Sequence, residues 1–197
     1  MPREKTIIDV PLIAQLPELP RGCEVTSLGM MLTHAGFQVD KMDLAERIRK
    51  VPFENDGLRG NLYDGFVGDM YSFETDGLGA YDEPIAELAR EFLGDRVIVL
   101  TGSDWDAVEN QISRGYPVWV VVNDTFRKLP DHHWQTWQTA RGELKVTYNE
   151  HAVLVTGYDD QYVYFNDPLA PKKNRQEPKL DFIEAWKQFG NQAVSYR

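Results

Sequence analysis

A single cysteine, at position 23, is all the sulfur chemistry that 197 residues offer beyond methionine. No disulfide can form within the chain, so its fold must be held by its core, and cysteine usage does not fix a redox compartment. No apolar run approaches the roughly 20 residues that span a bilayer, and the opening "MPREKTIIDVPLIAQ" lacks the apolar centre of a signal peptide. A cytoplasmic location fits the chain as written, and a secreted or cell-surface one fits it if a signal segment was removed. Internal repeats and low-complexity tracts are missing as well. Positive charge is scarce: 21 Lys and Arg face 31 Asp and Glu, for a net charge of -10. Such a surface repels phosphate backbones, which argues against nucleic acid and mildly favours basic or neutral substrates.

What is present is enough to build one domain over residues 1–197. The hydrophobic fraction is 42% and the aromatic fraction 12%, suited to a packed core. "TIIDVPLIA" predicts a first strand broken near Pro11. Apolar residues at Val25, Leu28, Leu32 and Ala35 predict an amphipathic helix that begins at Cys23 and stops at Gly36. "DKMDLAERIRKV" predicts a second, short helix, and "EPIAELAREFLG" a third. Residues 54–83 show no period, and their Gly, Asp and aromatic content predicts either a wall of a functional cleft or an extended wrap. "SDWDAVENQISRG" predicts a helix capped by Ser103, and "VWVVV" a buried strand. From Gly142 to Pro168 the chain predicts successive strands, with a tight turn at Asp159 to Gln161. Helices first and antiparallel strands later make an α+β pattern.

Cys23 falls where the loop "QLPELPRG" gives way to a helix. Backbone N–H groups and the helix dipole favour a thiolate there, and Gly22 leaves room for a substrate backbone to approach. A thiol nucleophile needs a histidine. His34 reads as a helix-ending residue. His132 and His133 lack the spaced companions that zinc requires. His151 opens the apolar strand "HAVLVTGY", a position where a rigid fold can hold a base. With a three-residue turn, Val153 faces Asp167, which places Asp167 diagonally beside His151; a turn one residue shorter puts Asn166 on that face instead. Gln15, eight residues before Cys23 across a loop stiffened by Pro17 and Pro20, supplies a carboxamide able to donate to an oxyanion together with the Cys23 N–H. No cofactor or metal is called for.

These residues resemble those of the C39-like cysteine peptidases, relatives of the bacteriocin-processing C39 peptidases. The likeness runs through "DVPLIAQLPELPRGCEVTSLGMMLTHAG", "GFVGD", "GLGAY", "LTGSDWDAVENQISRGYPVWVVV", "EHAVLVTGYDDQYVYFNDPL" and "FIEAWKQFGNQAVSY", in order over nearly the whole chain. It implies a bacterial thiol hydrolase with a papain-like fold, N-terminal helices packed on a C-terminal antiparallel sheet, acting on a peptide or protein substrate. It further implies Cys23 as nucleophile, His151 as base, Asp167 as the residue orienting the histidine and Gln15 as the oxyanion donor. C39 peptidases proper sit at the head of a peptide-exporting transporter, and this sequence carries no transporter segment. The same four residues also serve an acyl- or peptidyl-transferase or an amidase. A peptide-binding domain with a decayed site would be expected to have lost one of them. Oligomeric state is not legible.

Overall fold

The structure, a computed structural model, describes residues 4–197. In chain order its elements are β1 (Thr6–Ile7), α1 (Cys23–His34), α2 (Lys41–Arg47), β2 (Lys50–Val51), β3 (Glu54–Asn55), β4 (Leu58–Arg59) and β5 (Phe66–Val67). Then come α3 (Asp82–Leu93), β6 (Val97–Val99), α4 (Trp105–Ser113), β7 (Val118–Asn123), β8 (Gln135–Thr139) and β9 (Gly142–Val146). The last elements are β10 (Glu150–Tyr158), β11 (Tyr162–Asn166), β12 (Arg175–Pro178), α5 (Lys179–Lys187) and β13 (Ala193–Tyr196). The expected α+β arrangement is found, with an antiparallel sheet ordered β12-β11-β10-β7-β13-β6 and β1 paired to β10.

This sheet is buried on both faces, which is why "VWVVV" shows no polar alternation. Trp119 and Val121 point to the side covered by α1, α2 and α3, while Val118, Val120 and Val122 point to the side covered by α4 and α5. The helix α1 lies between the sheet and α2 and α3, so it is not the surface helix its apolar spacing suggests. Every residue from Cys23 to Leu32 is buried, including Glu24, Thr26 and Ser27. Leu28 has no exposed surface, and its truncation to Ala should cost about 2–5 kcal/mol.

Several boundaries move. The first strand shrinks to Thr6–Ile7, with one further bond to β10 from the Ile8 N–H to the Thr156 carbonyl at 2.8 Å. The second helix ends at Arg47, and Lys50–Val51 pairs with β5 instead. Asp104, not Ser103, is the residue before α4, and no side chain caps that helix. Residues 54–83 are not structureless: they hold β3, β4 and β5, and β3 and β4 join β8 and β9 in a second sheet. There the Arg59 guanidinium lies 4.7 Å from the Phe53 ring centre and 5.7 Å from that of Trp137.

The β10–β11 hairpin corrects the turn argument while keeping its outcome. Near the turn Tyr158 faces Val163, one residue off the expected Tyr162. A bulge between Val155 and Gly157 then restores the expected register, so that Leu154 faces Asn166. Continuing that register sets Val153 opposite Asp167.

Candidate active site

The first residue of α1 is Cys23, and Gly22 precedes it as the N-cap. A side chain at Gly22 would run into Leu19, so packing of the preceding loop by itself requires glycine here. The loop crosses to the hairpin's open end: the Gln15 N–H donates to the Pro168 carbonyl at 3.0 Å. In this way the approach to α1 and the end of β11 are fixed against each other.

His151 stands at the start of β10, 4% exposed. Its Nε2 lies 2.8 Å from Asp167 Oδ1. Asp167 also accepts from the Leu169 N–H at 2.9 Å and from Arg175 Nη1 at 3.1 Å. Burial by itself would raise the Asp167 carboxyl. The His151 hydrogen bond and charge, the Leu169 N–H and Arg175 outweigh it and hold the carboxyl below its ordinary value. Asn166 faces away, donating to the Val10 carbonyl and accepting from the Asn174 N–H. Of the two orienting residues left open by the sequence, Asp167 is the one on the histidine.

Gln15, Cys23 and His151 line one cleft of about 340 Å³ together with Pro20, Arg21, Phe73, Leu78, Asp124, Tyr148, Glu150 and Leu169. With Nε2 of His151 held by Asp167, Nδ1 is the ring nitrogen left for the thiol. The Ala152 N–H, on the residue after His151, donates toward the Cys23 sulfur. Gln15 is 2% exposed and its Nε2 donates to the Pro20 carbonyl at 2.9 Å. A carboxamide nitrogen has two hydrogens, so one remains for a bound group.

The surroundings of the thiol oppose the thiolate that the helix terminus favours. Burial pushes the Cys23 thiol well above its ordinary value, and the neighbouring acids Glu24 and Glu150 push it further. Sequence reasoning passed over both acids. Their only mark in the sequence is adjacency, Glu24 directly following Cys23 and Glu150 directly preceding His151, and adjacency does not say that the two acids meet. Cys23 Sγ and one carboxyl oxygen from each acid lie within 4.8 Å of one another. His132 and His133, by contrast, sit exposed in a short turn, with His133 Nδ1 3.1 Å from Asn149 Oδ1.

The glycine-rich segment serves as both wall and wrap. Phe73 and Leu78 face the cleft, while Gly68 and Gly77 bridge each other at the base of the loop. Arg21 Nη1 holds that loop by the carbonyls of Asp69, Ser72 and Thr75 at 2.9, 2.6 and 2.8 Å. Among the described residues no helix is long and apolar enough to cross a membrane.

The chain is similar to known proteins. The uncharacterized protein YvpB of Bacillus subtilis strain 168 is 48% identical over 190 residues, covering 95% of this chain and 74% of YvpB. A crystal structure of a candidate C39-like peptidase from Bacillus anthracis superposes with a TM-score of 0.97 at 47% identity, covering 98% of each chain. The peptidase domain of Streptococcus ComA, a bi-functional ABC transporter involved in quorum sensing, shares the fold alone. Its TM-score is 0.54 at 17% identity, over 94% of this chain and 96% of that domain. The sequence profile of the Peptidase_C39 like family matches residues 7–194, and the chain belongs to that family.

Proposed function

We propose that the protein is a single-domain cysteine peptidase, hydrolysing peptide bonds with Cys23 as nucleophile and His151 as its base. The observation that carries this reading is the buried His151–Asp167 pair, 2.8 Å apart, set beside a cysteine that opens a helix in the same cleft. Because the resting thiol is held protonated, attack and proton transfer belong to one step: sulfur bonds to the carbonyl carbon as His151 Nδ1 takes its proton. Asp167 keeps Nε2–H in place and stabilises the imidazolium that results. The carbonyl oxygen gains charge, met by the Cys23 N–H and the free Gln15 N–H. His151 then gives its proton to the leaving amine, and water, deprotonated by the same imidazole, releases the acid from the thioester. The ring of exposed Phe73, Tyr148 and Leu169 around the cleft suits a peptide carrying apolar side chains.

The test is cleavage of a peptide library by the purified chain, with product masses read in the presence and absence of an added amine. Hydrolysed products in both, lost in Cys23→Ala, are expected. Amine-capped products at the expense of free acid would make the enzyme a transferase. Cleavage that persists in Cys23→Ala would end the proposal.

A further inference from the structure

Two acids lie at the centre of this site without a role in the chemistry above. Glu24 adjoins Cys23 in α1, and Glu150 adjoins His151 in β10. Glu24 is fully buried; its Oε2 accepts from the Ala80 N–H at 3.0 Å, while its Oε1 has no donor. Glu150 Oε1 likewise has none. Their other oxygens converge on Gly79, where any side chain would collide with both carboxyls. Two ionised carboxylates could not share that space. One proton between them turns that repulsion into a hydrogen bond.

We propose that Glu24 and Glu150 share a proton and form a clasp that holds the helix carrying Cys23 against the strand carrying His151, making both positioning residues for the reacting pair. Among the described residues no salt bridge joins a cation to either acid, although His151 and Arg21 line the same cleft as Glu150. From α1 it meets the Cys23 thiol, and from the segment before α3 it meets the Ala80 N–H and the Tyr81 phenol. From β7 the Trp119 indole donates to the Glu24 carbonyl oxygen. Beyond burial, only Glu24 acts on Glu150, and both influences push Glu150 well above its ordinary 4.5. Loss of the shared proton turns the clasp from an attraction into a repulsion, and sets a second negative charge beside the sulfur.

The inference rests on Cys23 and His151 being the reacting pair, but its main readout does not need substrate. A carboxyl whose value is raised in the folded state binds its proton more firmly there than in the unfolded chain. The stability it contributes is complete below the unfolded value and is lost as pH climbs through the folded one. Thermal unfolding of the full chain from about pH 5 to about pH 9 should therefore show a falling Tm in the wild type. Glu150→Gln keeps a donor toward Glu24 at every pH, so its Tm should stay flatter. Its Cys23 alkylation by iodoacetamide should match the wild type at the acid end and exceed it at the alkaline end. Glu150→Ala should lose alkylation relative to Glu150→Gln throughout, so the amide rescues what the truncation removes. Equal Tm slopes in wild type and Glu150→Gln would overturn the clasp. So would a dialysed wild-type chain that retains one equivalent of divalent metal missing from Glu150→Gln, since a cation would then join the carboxylates. Cleavage surviving in Cys23→Ala would defeat the peptidase reading and leave the Tm comparison standing.

Discussion

Asp167 and Glu150 are carboxyls at the same open end of the β10–β11 hairpin, and burial pushes on both in the same direction. It prevails only at Glu150. Asp167 has a histidine, a backbone N–H and a guanidinium, and stays ionised. Glu150 has another acid, and keeps its proton. The partners make the difference. It places a fixed negative charge behind the imidazole, where a developing imidazolium needs one, and withholds a second charge from the thiol, where it would oppose proton loss.

The comparison breaks most severely at Asp167. Asp167→Ala should lower kcat by as much as roughly 10⁴, the scale reached when an orienting acid is lost, whereas Asn166→Ala should act through stability and leave the pH profile in place. Kinetics and unfolding on the two variants separate these outcomes. Gln15→Ala comes next: losing one oxyanion donor costs about 10²–10³ in kcat, and Cys23 alkylation should hardly change because Gln15 is no partner of the thiol. The two acids should also bracket the stability profile from opposite sides. Since Asp167 is lowered from 3.8, its contribution is present above that value and is lost as pH falls through the folded one. Asp167→Asn should then flatten the acid limb of a Tm–pH curve and leave untouched the alkaline limb assigned to Glu150. The smallest effect is expected at Arg175, whose side chain is 42% exposed. Its ion pair is screened by water and worth about 0–1 kcal/mol, so Arg175→Met should change kcat by less than about fivefold.

Much of this site is legible in the sequence because its members are tied to local signals. Cys23 marks a change from proline-rich loop to helix, and His151 marks the start of an apolar strand. Asp167 follows from strand parity, although the turn was one residue longer than counted and a bulge made up the difference. Parity survives such compensation at the far end of a hairpin; a turn count alone cannot reveal it. The acid pair was out of reach for another reason. Glu24 and Glu150 are separated by most of the chain, and nothing in either segment says that α1 will be buried all round. The same long-range packing acts on the thiol against the helix terminus, and local sequence shows only one of the two influences. Residues 54–83 escaped because their strands are two residues long, too short for any period to register.

The loop from Asp69 to Thr75 is gathered on one guanidinium nitrogen by three main-chain carbonyls, the convergence that calcium-binding loops reserve for their ion. Here the cation is covalently part of the chain, two residues before the cysteine. The wall bearing Phe73 therefore stays formed in chelator, and it is mechanically slaved to the start of α1. One side chain thus ties the rim of the cleft to the residue two before the cysteine.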